Sequence, residues 1–87
     1  MAQERIIKKY ANRRLYDTAE SRYIALDDIR QLVMDGARFR VVDASGDDIT
    51  RSILLQIIVE QEEKGQPMLS TRLLEQIILY YGDTLQS

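Results

Sequence analysis

The period of the apolar positions changes several times along the chain, and each change marks an element. Residues 6–10 form a short β-branched and aromatic run, which reads as a strand. Leu15-Tyr16-Asp17 and Arg22-Tyr23-Ile24 read as two more strands. Turns at Ala11-Asn12-Arg13 and Thr18-Ala19-Glu20-Ser21 separate them. On a two-residue period Ile6, Lys8 and Tyr10 share one face, and Ile7 and Lys9 the other. Residues 26–35 switch to helical spacing, with Leu26, Ile29, Leu32 and Val33 on one stripe. Asp27 and Asp28 then meet the positive end of the helix dipole, and Gly36 is placed to end the helix in the left-handed conformation. Residues 38–44 return to a strand, with Phe39, Val41 and Asp43 on one side and Arg38, Arg40 and Val42 on the other. Ser45-Gly46-Asp47 is a turn, Asp48-Ile49 a short returning arm, and Thr50 a hydroxyl placed to cap the next helix.

That helix, residues 51–64, is apolar over roughly two-thirds of its circumference. Ile53, Leu54, Leu55, Ile57, Ile58 and Val59 leave only a narrow polar stripe of Ser52, Gln56, Glu60 and Glu63. Gly65-Gln66-Pro67 breaks the chain as a linker. Ser70 can cap a last helix, residues 71–81, ended by Gly82. Its apolar face is Leu73, Leu74, Ile77, Ile78, Tyr80 and Tyr81, with Leu79 on the polar side. The pattern predicts an α+β fold: a small antiparallel β-sheet packed on helices over residues 1–64, with a linker and helical extension over 65–87. One thin sheet and one short helix are too little to cover the 51–64 helix. A homo-oligomer, a dimer or tetramer through this helix or the last one, is the expected remedy for so short a chain.

Composition removes whole classes of chemistry. The 87 residues include no histidine and no cysteine. Disulfides, Ser/His or Cys/His catalysis and a zinc site are therefore not expected, nor is any other metal or cofactor. The acidic pairs Asp27-Asp28, Asp47-Asp48 and Glu62-Glu63 are adjacent residues that diverge in direction, so they suit a helix start, a turn and a solvated face better than acid–base catalysis. The four glycines are isolated, which excludes a phosphate-cradling loop. No apolar run approaches the ~18 residues of a membrane span, so no membrane partner and a cytoplasmic location are expected. The net charge of −2 conceals a division. Residues 1–40 carry +3 and residues 41–87 carry −5.

The positive charge gathers at the start. Six of the twelve basic residues fall between Arg5 and Arg22, interleaved with three of the five tyrosines. Lys8, Lys9, Arg13, Arg14 and Arg22 are placed to neutralise phosphates. Asn12, Arg13 and Arg14 at a turn are residue types that read base edges. Tyr10, Tyr16 and Tyr23 can donate hydroxyls to phosphates or pack on the core. Composition equally fits a strand edge guarded by lysines. The last helix is open in the same way: core or oligomer contact on one reading, a hydrophobic ligand or granule on the other.

Read together, Lys9-Tyr10-Ala11-Asn12-Arg13-Arg14-Leu15-Tyr16-Asp17-Thr18, Ser21-Arg22-Tyr23-Ile24, Leu26-Asp27-Asp28-Ile29 and Asp47-Asp48-Ile49-Thr50-Arg51-Ser52 resemble one family. It is the N-terminal DNA-binding domain of the polyhydroxyalkanoate synthesis repressors, also called polyhydroxybutyrate accumulation regulators. The likeness runs over residues 6–64. Residues 68–86 resemble the start of that family's polymer-associated segment, which would make the chain a piece of a longer protein. The resemblance implies a bacterial repressor of phasin and polyhydroxyalkanoate genes that binds double-stranded promoter DNA. Polyhydroxybutyrate, as polymer or granule surface, would draw it off. The family's basic motif falls on Lys9, Tyr10, Asn12, Arg13, Arg14 and Tyr16, and with Lys8, Arg22 and Tyr23 from the charge and tyrosine pattern these are the DNA-binding candidates. Without it the alternative is an oligomerisation or granule-surface module that binds no DNA. Two positions depart from the family pattern. Ala11 stands where glycine is expected, so that residue should keep a negative φ. Ala25 stands where Thr or Ser is expected, at a cost of about 1 kcal/mol in helix capping.

Overall fold

A computed structural model describes residues 4–65 and 67–86, with side chains through residue 83. The elements are β1 (Arg5–Lys9), β2 (Leu15–Asp17), β3 (Arg22–Ile24), α1 (Leu26–Met34), β4 (Phe39–Val42), α2 (Thr50–Lys64) and α3 (Thr71–Gln86). Of the expected linker, Gln66 lies outside the described residues. The architecture is α+β, with the helical C-terminal extension. The four strands lie in the order β3-β2-β1-β4. Both hairpin pairs are antiparallel, but β1 pairs with β4 in parallel, so the sheet is mixed rather than antiparallel. The reason is the connection: α1 carries the chain back across the sheet, so β4 starts from the same end as β1.

Register separates the two faces. Ile7 lies opposite Asp17 on one side and Val41 on the other, and Leu15 lies opposite Ile24. Ile7, Leu15 and Val41 face the helices and are buried with Ile29 of α1 and Ile53 and Ile57 of α2. Leu26, Leu32, Phe39 and Leu54 close the margin of this core. Val33, expected on the same stripe, is half exposed. It sits in the last turn of α1, at a rim beside Phe39 and Leu54. The other sheet face carries Ile6, Lys8, Tyr16, Tyr23, Arg40 and Val42 by the same register, and none of these is buried.

Asp17 is the buried exception, at 2% exposure. One carboxylate oxygen takes Arg5 Nη1 at 3.1 Å, and the other accepts the Ala19 N–H at 2.9 Å. One side chain thus fixes the start of β1 and the β2–β3 turn, where Ser21 takes a positive φ of 55°.

The helix ends follow the sequence in part. Gly36 is left-handed, and the Gly36 and Ala37 amides donate to the Val33 and Leu32 carbonyls. This pair of bonds closes α1 as expected. At the other end Ala25 has no side-chain oxygen to offer; its carbonyl accepts the Asp28 N–H at 3.0 Å, and its own N–H donates to Asp28 Oδ2 at 2.8 Å. Thr50 does not cap α2. The N-cap is Ile49, and Thr50 is the first helical residue. Its hydroxyl accepts the Val41 N–H at 2.8 Å and donates to Asp48 Oδ1 at 2.7 Å, tying α2 to β4. This hydroxyl, with the Thr50 amide, holds the Asp48 carboxyl below its ordinary range.

Ser70 does cap α3, accepting the Leu73 N–H at 3.0 Å. Gly82, expected to end that helix, does not, and α3 runs on to Gln86. Glycine permits a left-handed stop but does not impose one. The linker is held to α2 by the Glu62 carboxylate, which accepts the Met68 and Leu69 amides at 2.7 and 2.9 Å.

Two stability predictions follow from these bonds. Ala25→Ser supplies the missing cap oxygen and should stabilise the fold by about 1 kcal/mol, read as a raised midpoint in urea. Asp17→Ala removes the turn bond and leaves Arg5 without its buried partner, and the same titration should show a loss of about 2–3 kcal/mol.

Candidate nucleic-acid interface

The β1–β2 hairpin closes through a three-residue loop. The Tyr10 N–H donates to the Arg14 carbonyl at 3.0 Å, and the Arg13 N–H to the Tyr10 carbonyl at 2.9 Å. A loop of this length needs a left-handed residue at its last position, usually glycine. Here that residue is Arg13, at φ 65°. Ala11 keeps a negative φ, as expected. An L side chain in this region costs about 1 kcal/mol, and the bulky arginine sits there at the apex of the basic stretch. Asn12 shapes the same loop, its Oδ1 accepting the Arg14 N–H at 3.1 Å.

The tyrosines assemble beside the loop on the sheet face that no helix covers. Tyr16 and Tyr23 are cross-strand partners, with ring centroids 5.1 Å apart and edge-to-face. Tyr10 stands 6.3 Å from Tyr16 and 6.4 Å from Tyr23, also at steep interplanar angles. Such contacts hold the rings in place. Tyr10 and Tyr23 nevertheless stay 40% and 46% exposed, so the cluster is supported without being covered. Arg14 lays its guanidinium over the Tyr23 ring, with Cζ 3.9 Å from the centroid, a cation–π contact. Lys8 lies opposite Tyr16 on one side and Val42 on the other. The row Tyr23, Tyr16, Lys8, Val42 therefore crosses all four strands, about 14 Å at the usual strand spacing.

The remaining candidates are placed less uniformly. Lys9 turns to the helix side, where a groove of about 570 Å³ runs under the loop between Lys9, Arg13, Leu26 and Gln56. A second groove on the far side of the loop is also bordered by Lys9 and Arg13. Arg22 lies opposite Asp17, at the end of β3 away from the loop. Its Nε donates to Glu20 at 2.8 Å, and this bond raises the pKa of the guanidinium. Arg22 is thus neutralised locally and does not join the group. Arg40 does stand on the open face, opposite Ile6, with Glu4 at 3.7 Å. It lies outside the basic stretch in sequence and reaches this face only through the non-local pairing of β4 with β1. The available signal is the alternation of Arg40 with Phe39 and Val41, which sets it on the side away from the core.

The apolar candidates are all on α3, and Leu73, Leu74, Ile77, Ile78, Tyr80 and Tyr81 are all exposed. Tyr80 and Tyr81 meet edge-to-face at 6.1 Å. On α2, Leu55 and Val59 are 59% and 53% exposed, and Ile58 is half exposed as well. No group of metal-binding side chains occurs among the described residues. Nor is any helix long and apolar enough to cross a membrane.

Clustered cations interleaved with exposed rings, on a small α+β domain, make the class of surface that polyanions select. Comparison with known proteins gives the class its name. Residues 6–65 match the PHB/PHA accumulation regulator DNA-binding domain, and the chain belongs to that family. It is 64% identical over 87 residues to an uncharacterised protein of Allochromatium vinosum. It is 61% identical over 87 residues to a Thiocystis violacea protein described as an uncharacterised protein in the phbA 5′ region. These matches take in 99% of the chain but only 57% and 63% of the two relatives. The chain thus spans little more than half the length of the curated relatives it matches. No solved structure matches it.

The loop geometry carries its own test. Arg13→Gly places the residue the conformation favours, and should raise unfolding stability by up to about 1 kcal/mol.

Proposed function

We propose that the chain is the DNA-contacting part of a repressor of phasin and polyhydroxyalkanoate genes, released from DNA by polyhydroxybutyrate. The observation that carries the reading is the hairpin loop, where Arg13, at positive φ and without a side-chain partner among the described residues, adjoins Arg14 stacked on Tyr23. Lys8, Lys9, Tyr10 and Tyr16 extend the contact, and Asn12 supports it by shaping the loop. Arg22 serves at the margin, since Glu20 takes much of its charge. The protein acts in the cytoplasm, at the nucleoid, and at granules when polymer is present. It has no catalytic role.

The exposed apolar residues of α2 and α3 support two further parts of this reading. Leu55, Ile58 and Val59 meet their counterparts in a second copy, giving a homo-oligomer that presents two hairpins to two half-sites. The face of α3 takes the polymer. Because one ligand displaces the other, polymer must bind free protein more tightly than DNA-bound protein. The same apolar faces also favour the second reading, an oligomerisation or granule-surface module without DNA binding.

A gel-shift titration on duplexes spanning phasin and polymer-synthesis promoters separates the two. The expected log–log salt slope is about −0.9 per phosphate contacted. Arg13→Ala with Arg14→Ala should weaken binding at least ~10-fold and flatten the slope. An unchanged affinity and slope would remove the DNA surface. Equal polymer affinity for free and DNA-bound protein would remove the switch.

A further inference from the structure

The basic residues of the hairpin loop are not equivalent, and their differences divide the work of recognition. Asn12 is the residue type that pairs with adenine, but doing so takes its carboxamide oxygen and nitrogen together. The oxygen accepts the Arg14 N–H at 3.1 Å, which turns the carboxamide toward its own loop and makes Asn12 a loop builder. Arg14 holds its guanidinium over Tyr23, Cζ 3.9 Å from the ring centroid, which ties it to the tyrosine cluster on the open sheet face. A guanidinium held against a ring keeps its N–H edge free for a phosphate but has lost the reach to probe a groove. Lys8 shares that face and offers a point charge.

Arg13 differs from both. Among the described residues its side chain makes no hydrogen bond, ion pair or ring contact. It stands in the three-residue loop that closes β1 and β2 at the end of the four-stranded sheet, bordering the grooves on both sides of the loop. Its φ of 65° is one that glycine would adopt without strain. The loop is narrow enough to enter the ~12 Å major groove, while the four-stranded sheet behind it is too broad to follow. Resting on the DNA-binding reading above, we propose that Arg13 is the base reader of this interface. It donates two parallel N–H bonds to O6 and N7 of a guanine in the major groove, and Arg14 and Lys8 hold flanking phosphates.

The experiment compares two duplex probes: one enriched by the full-length protein from a randomised 20-base-pair pool, and the unselected pool itself. Affinities are measured for the wild type, Arg13→Gly and Arg14→Ala. Glycine suits the loop, so the first variant keeps the hairpin. Arg13→Gly should reduce the preference for the selected duplex by about 5- to 150-fold, the range of one bidentate pair. Arg14→Ala should weaken both probes equally and leave the preference intact. Replacing guanines of the selected duplex one at a time with 7-deazaguanine, which lacks the N7 acceptor, should expose one position that hurts the wild type and not Arg13→Gly. If Arg13→Gly weakens both probes alike, or every 7-deazaguanine penalty persists in it, Arg13 is not the reader, though the DNA reading stands. A wild type that binds neither probe overturns both.

Discussion

The fold depends on the position of β1 between β2 and β4. Its Ile7 is fully buried between Asp17 and Val41, on the face that both helices cover. The residues on either side, Ile6 and Lys8, point the opposite way. One strand of five residues therefore nails the core with one side chain and displays charge with the next. A slip of one residue in its pairing would bury Lys8 and expose Ile7. The parallel pairing with β4 pins the register from one side. Asp17, tied to Arg5 across the sheet, pins it from the other.

Local features were legible in the sequence, and those that depend on distant pairing were not. The stripe Leu26, Ile29, Leu32, the left-handed Gly36 and the Ser70 cap all rest on residues within a turn or two of one another. The parallel β4, the buried state of Asp17 and the Thr50 bond to Val41 each need a partner many residues away. Thr50 was legible as a hydroxyl at a helix start, but not as a clasp on a strand. The candidate site divides along the same line. Its residue types and the negative φ of Ala11 were readable. The union of Tyr10, Tyr16 and Tyr23 into one cluster, the placing of Arg14 over Tyr23 and the loss of Arg22 to Glu20 follow from cross-strand register and turn geometry.

Charge and greasiness occupy opposite ends of the molecule's economy of surface. The half of the chain that carries the basic stretch gives Ile7, Leu15 and Ile29 to the shared core. The half that is acidic leaves Leu55, Val59 and much of α3 uncovered. A small domain cannot bury every apolar residue it carries. This one concentrates the excess on its last two helices.

The attachment of α3 sets how that excess can be used. Glu62 accepts the two amides just before the helix, so the near end of α3 follows the last turn of α2. Among the described residues no strand or other helix packs extensively on it. A helix of 16 residues is about 24 Å long, so each 10° of rotation at that joint sweeps its far end through about 4 Å. The exposed pair Tyr80 and Tyr81 is therefore tied to the rest of the molecule through the C-terminal turn of α2 rather than through the sheet.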